Sequence, residues 1–148
     1  MTRRNYTIFT AVLFFLLTGL GAAGFARGHA RPRPEASEFG TGPRTSAQGL
    51  YTATLSGADV LKARKMYTIE VRVTDAAGQP VEGANIAVDG GMPQHGHGFP
   101  TRPRVTRELG NGSYEIGGVR FNMGGWWELK LAIETPSGSD TVTFNLAI

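Results

Sequence analysis

From residue 49 to the end of the chain, apolar and polar residues alternate in short runs separated by Gly, Pro, Asn, Asp and Ser. In "MYTIEVRVTD", Tyr67, Ile69, Val71 and Val73 fall on one side and Thr68, Glu70, Arg72 and Thr74 on the other. A period of two sends successive side chains to opposite faces, so this run predicts a strand with one buried face. "LYTATLSG" alternates in the same way, with Tyr51, Ala53 and Leu55 on one side. "VEGANIAVD", "RVTREL", "SYEIGGVRF", "WWELKLAIET" and "TVTFNLAI" supply five more candidate strands. The turns between them have their own chemistry. "DAAGQP" offers Gly78 for a positive φ, "GNG" at 110–112 predicts a hairpin, and "PSGSD" predicts a further turn. Seven short strands at this spacing, with no helical period after residue 30, predict an all-β immunoglobulin-like sandwich over residues 49–148.

The first 26 residues have a different texture. Arg3 and Arg4 precede an uncharged run of 22 residues, 5–26, whose apolar centre is followed by small residues. A basic start, an apolar centre and a small-residue cut site make a secretory signal. About 20 apolar residues also suffice to cross a bilayer, so residues 1–26 are read as a signal peptide or a membrane anchor helix. Both readings put the rest of the chain outside the cytoplasm, on the periplasmic or extracellular side, because the arginines stay inside. "TRRNYTI" is somewhat like a twin-arginine export signal but lacks the usual following lysine. Residues 27–48 are poor in apolar side chains and rich in Pro, Gly, Ser, Arg and Glu, a composition that predicts a disordered, flexible linker. His29 falls in it.

Composition narrows the function classes. The 148-residue chain carries a net charge of +3, which invites a nucleic-acid reading. From residue 49 onward, however, nine Lys/Arg face ten Asp/Glu, a net of −1, so no basic face is expected and no nucleic-acid partner. Cysteine is absent, which removes thiolate metal sites, disulfides and cysteine nucleophiles together.

One loop stands out chemically. "GGMPQHGHGFPTRP", residues 90–103, gathers Met92, His95 and His97 within six residues. In an extended loop, alternate side chains project the same way, so His95 and His97 would share one side. Imidazole suits copper, zinc and nickel, and a thioether favours Cu(I), so the candidate ligands to a copper ion are Met92, His95 and His97. Met123, in "FNMGGWW", is a fourth if the two loops share one end of the sandwich. Trp126 and Trp127 flank the set. Adjacent strand residues face opposite ways, so one indole is expected in the core and the other toward solvent or the site, where it would shield a cation.

Enzymatic chemistry finds no comparable pattern. A zinc hydrolase needs another ligand and a general base, for which Asp89 is the nearest acid, and no Gly-x-Ser-x-Gly turn is present. No catalytic residue is assigned, and the chain is read as a binding module. The alternative is a metal-independent interaction domain that docks a membrane or envelope complex. For that, Arg102, Arg104 and Arg107 alternate along a candidate strand and could meet an acidic partner.

"YTIEVRVTDAAGQPVEGANIAV", then the Met/His loop, then "GNGSYEIGGVRFNMGGWWELKLAI" resembles the YtkA-like domain shared with the FixH family. The resemblance covers about 100 residues. It implies a β-sandwich, membrane anchoring, and an association with copper supply to respiratory oxidases, hence a membrane-protein or copper-enzyme partner. It carries over no catalytic residue.

Overall fold

A computed structural model of the chain describes residues 31–57 and 60–148. The expected signal or anchor, the first residues of the expected linker and His29 lie outside the described residues, as do residues 58 and 59. No helix among the described residues is long and apolar enough to cross a membrane.

Nine strands make two antiparallel sheets. They are β1 (Arg44–Thr45), β2 (Tyr51–Ser56), β3 (Met66–Asp75), β4 (Asn85–Met92), β5 (His97–Gly98), β6 (Arg104–Gly110), β7 (Ser113–Arg120), β8 (Trp126–Thr135) and β9 (Gly138–Ala147). One sheet has the order β1-β2-β3-β7-β6 and the other β5-β4-β8-β9. The inward sets follow the alternation of the sequence. Tyr51, Ala53 and Leu55 of β2 and Ile69, Val71 and Val73 of β3 meet Trp127, Leu129, Leu131 and Ile133 of β8 and Val142, Phe144 and Leu146 of β9 in one buried core. Both sheets and this core lie within residues 44–147, so residues 31–148 contain the whole sandwich.

All seven expected strands are present, with two additions and with shifted edges in β4 and β9. β6 and β7 join through Asn111 and Gly112, both at positive φ (52° and 74°), as a two-residue hairpin of the expected kind requires. β8 and β9 join through Pro136 and Ser137 alone, so Gly138, Ser139 and Asp140, expected in the turn, begin β9. β4 starts four residues later than expected and runs on through Gly90, Gly91 and Met92. Its expected first residues instead stay with the other sheet, where the Val81 amide donates to Val73 O (3.1 Å).

The linker expectation needs correction from Arg31 onward. Residues 31–48 contain a 3-10 turn (Ala36–Glu38) and β1, and they are laid along the sandwich. The segment supplies few apolar side chains of its own, which is why composition gave no hint, and polar contacts tie it down. Gly40 N–H donates to Asn145 O (2.9 Å), Arg31 pairs with Glu128 (2.8 Å), and Asp140 accepts the Gln48 and Leu50 amides (2.9 and 3.3 Å).

Asp140 thus ties β9 in one sheet to the lead-in of β2 in the other. Its burial alone would raise the carboxyl pKa, but hydrogen bonds from Ser46, Thr141, Gln48 and Leu50 outweigh that and hold it below the usual range. A pKa depressed on folding adds stability above the unfolded value, about 3.9 for Asp, and loses it as pH falls toward the folded value. Urea midpoints of wild type and Asp140→Asn should therefore differ most near neutrality and converge in acid. A constant difference across that window would show that Asp140 is not part of the acid transition.

Candidate metal centre

β4 and β5 form a tight hairpin that builds the Met/His loop. Met92 pairs with His97 and Gly91 with Gly98, while the amides of His95 and Gly96 both donate to Met92 O (3.0 and 2.9 Å). Gly96 sits at φ 67°, a conformation that L side chains rarely adopt. Glycine is also required at 90 and 91. A Cβ on Gly90 would strike the Glu128 carbonyl and one on Gly91 the His97 carbonyl, so these positions let β4 lie tight against β8 and β5.

The loop is therefore a closed turn and not the extended segment expected. It nevertheless brings the two imidazoles together, with ring centroids 5.9 Å apart. Metal–nitrogen bonds of about 2 Å place the centroids of two ligating imidazoles at most about 6 Å apart, and the spacing here matches that limit. His95 is exposed and His97 half-buried. His97 Nδ1 lies 3.3 Å from Gly98 O. With Nδ1 as donor there, Nε2 keeps its lone pair for an ion.

Trp127 is the hub of this end. Its indole is fully buried, stacks on Phe99 (5.5 Å between centroids, 20° between planes), and meets Phe121 (5.2 Å) and His97 (5.8 Å) edge-on. Its N–H donates to Met123 O at 3.0 Å, which fastens the 121–125 segment beside the histidine hairpin. The two loops thus share one end of the sandwich. Met123 is 39% exposed there, whereas Met92 is 2% exposed and belongs to the core, with its methyl group against Gly125.

The expectation that one of the two tryptophans faces solvent or the site is corrected: both are buried. Trp126 lies on the outer face of β8, where its N–H donates to Asn145 Oδ1 (2.9 Å) and Asn145 in turn reaches Glu38 O (3.4 Å). The outer face is covered because the 31–48 segment crosses it. Reading the segment as a tether hid this.

Sequence reasoning also missed Glu128, which is 4% exposed and paired with both Arg31 (2.8 Å) and Lys130 (2.9 Å). It lines, with Arg31, Gly91, His97 and Lys130, a depression of about 240 Å³ behind the hairpin. Each oxygen of Glu128 already accepts from a cation. Among the described residues no three His, Asp or Glu side chains converge as a metal-binding group. The donors at this end are two imidazoles and the thioethers of Met92 and Met123, a soft set suited to Cu(I) and poor for zinc.

The sequence model of the YtkA-like family matches residues 45–132. The chain belongs to the YtkA-like family. The match starts at the end of β1 and runs into β8, and so contains the histidine hairpin, Met123 and both tryptophans. No curated protein matches the chain. Among solved structures the YtkA-like chain is similar to one described as "ZirS C-terminal Domain", at 15% identity over 97% of each chain with a TM-score of 0.40. The sandwich assignment rests on the strand pairing.

Proposed function

We propose that this YtkA-like domain is a non-enzymatic copper-binding module, held on the periplasmic or extracellular side of the cytoplasmic membrane by its N-terminal segment. Its role would lie in metal handling or in assembly of a respiratory oxidase, with a membrane protein or copper enzyme as the recipient. The observation that supports this reading is the proximity of the two imidazoles to each other and of His97 to Trp127, at the end of the sandwich that also carries Met92 and Met123. Sites built on strands hold their donors more precisely than sites on free loops, and here the hairpin and the Trp127–Met123 hydrogen bond supply the framework.

The test is titration of residues 31–148 with Cu(I) in the presence of a competing chelator. One ion per chain is expected, with zinc held more weakly. If the domain fails to compete for Cu(I), the metal reading fails and the interaction-domain reading takes its place. Anchoring is tested separately, by fractionation of cells that express the full chain, which is expected in membranes with the sandwich open to protease from outside.

A further inference from the structure

We infer that the histidine end of the sandwich is a membrane-docking face that seats on the anionic surface of a lipid bilayer. The strand directions divide the connections between two ends. The 57–65, 93–96, 99–103 and 121–125 segments lie at the histidine end, and the 76–84, 111–112 and 136–137 segments at the other. The charges divide with them. Lys62, Arg64, Lys65, Arg102, Arg104 and Arg120 lie at the histidine end, all exposed, and among the described residues none of the six forms an ion pair. Acids near this end are the carboxylate of Ile148, the exposed Asp89 and Glu38, and Glu128, which is already paired with Arg31 and Lys130, so the cations outnumber the unpaired acids there. Asp75, Glu82, Glu108 and Glu134 cluster toward the opposite end, whose connections contain no Lys or Arg. The domain is close to neutral in total yet polarised along its length.

The largest apolar exposures fall at the same end. Val60 and Met66, the two most exposed large apolar side chains among the described residues (69% and 59%), and Met123 (39%) lie at the basic end, while Leu109 and Leu50 (44% and 37%) lie toward the other. Cations interleaved with exposed apolar side chains are the combination that binds at a lipid interface, where the charges meet anionic headgroups and the apolar groups enter the boundary region. The tether agrees in direction. Arg31 is pinned to Glu128 near the start of β8, and the uncharged N-terminal run ends at Ala26. Five residue steps reach at most about 18 Å. If residues 1–26 anchor the chain, as proposed above, the histidine end is held within that distance of the bilayer and the acidic end points away.

The experiment needs no anchor. Residues 31–148 are sedimented with vesicles of phosphatidylglycerol and phosphatidylcholine, and with vesicles of phosphatidylcholine alone. Binding is expected to the anionic vesicles only, and to fall as salt rises. Each cation near such a surface is worth about fivefold in affinity, so Lys62→Gln/Lys65→Gln/Arg120→Gln should bind about a hundredfold more weakly with its β spectrum unchanged. Because the chain has no cysteine, a single environment-sensitive dye can be placed at Asn122→Cys or at Ser137→Cys. The first should shift on anionic vesicles and the second should not. Absence of binding, equal binding by the triple variant, or equal shifts at both ends overturns the inference and leaves an acidic protein as the match for the basic end. Release of the full chain from membranes would instead refute the anchor alone, and the copper titration is independent of both.

Discussion

Trp127→Ala is expected to destabilise the sandwich by about 3–5 kcal/mol, the range for removing a large aromatic side chain from a packed core. Trp127 is fully buried, and three rings, Phe99, Phe121 and His97, lie within 6 Å of it, centroid to centroid. Truncation leaves a cavity that the two sheets cannot close without moving, because β8 is paired with β9 from Trp126 to Thr135 and with β4 from Glu128 to Glu134. A domain of this size has about 5–15 kcal/mol in total, so the variant should lose a large part of its stability. Urea unfolding checks this, and a loss below about 1 kcal/mol would mean that the end of the sandwich is loosely packed. Trp127→Phe keeps much of the apolar volume but leaves the Met123 carbonyl without its donor, so it should cost less than the alanine change.

The same residue illustrates what could be read from the sequence. Alternation predicted that one of the two indoles enters the core, and the structure puts Trp127 there with Leu129, Leu131 and Ile133 of β8. Period-two patterns report faces reliably because one side of each strand is dry. They report edges poorly. β4 reaches Met92 through two glycines that read as a loop, since the reason for them is a close approach of Glu128 and His97 carbonyls that belong to other strands. β5 is two residues long and carries no pattern at all. Asp140 read as a turn residue because its amide partners, Gln48 and Leu50, are about 90 positions away.

Charge was legible as a sum and not as a distribution. A net of −1 after residue 49 argued against any basic face, and by composition it did. Strand direction then sends Lys62, Arg64, Lys65, Arg102 and Arg120 to one end and Asp75, Glu82, Glu108 and Glu134 toward the other, a separation fixed by topology. The candidate site depended on topology in the same way. Whether Met123 approaches the histidines turned on which ends β4, β7 and β8 present, and the strand pairing brings those ends together.

Replacing His95 and His97 together by alanine should abolish binding of both Cu(I) and Cu(II) while leaving the fold intact. His95 is exposed and His97 half-buried at the rim of the core, so the structural cost should be small compared with that of Trp127→Ala. The thioethers need a different substitution. Met92 is buried against Gly125, and truncating it to alanine would cost about 2–5 kcal/mol and confuse unfolding with ligand loss. Met92→Leu nearly conserves volume, removes only the sulfur, and should cost less than about 1.5 kcal/mol. Met123→Leu is safer still, since that side chain is partly in solvent. Each leucine variant should weaken Cu(I) by about tenfold or more, equivalent to about 1.4 kcal/mol, and change Cu(II) little, because the soft ion alone depends on sulfur. Acidification should act on the other half of the set, since protonated imidazoles cannot ligate and the thioethers are indifferent to pH. Competitive titration of the four proteins separates the contributions. Equal Cu(I) affinity in wild type and the double-histidine variant would show that the imidazoles hold no ion. Equal affinity in both leucine variants and wild type would show that the thioethers only pack.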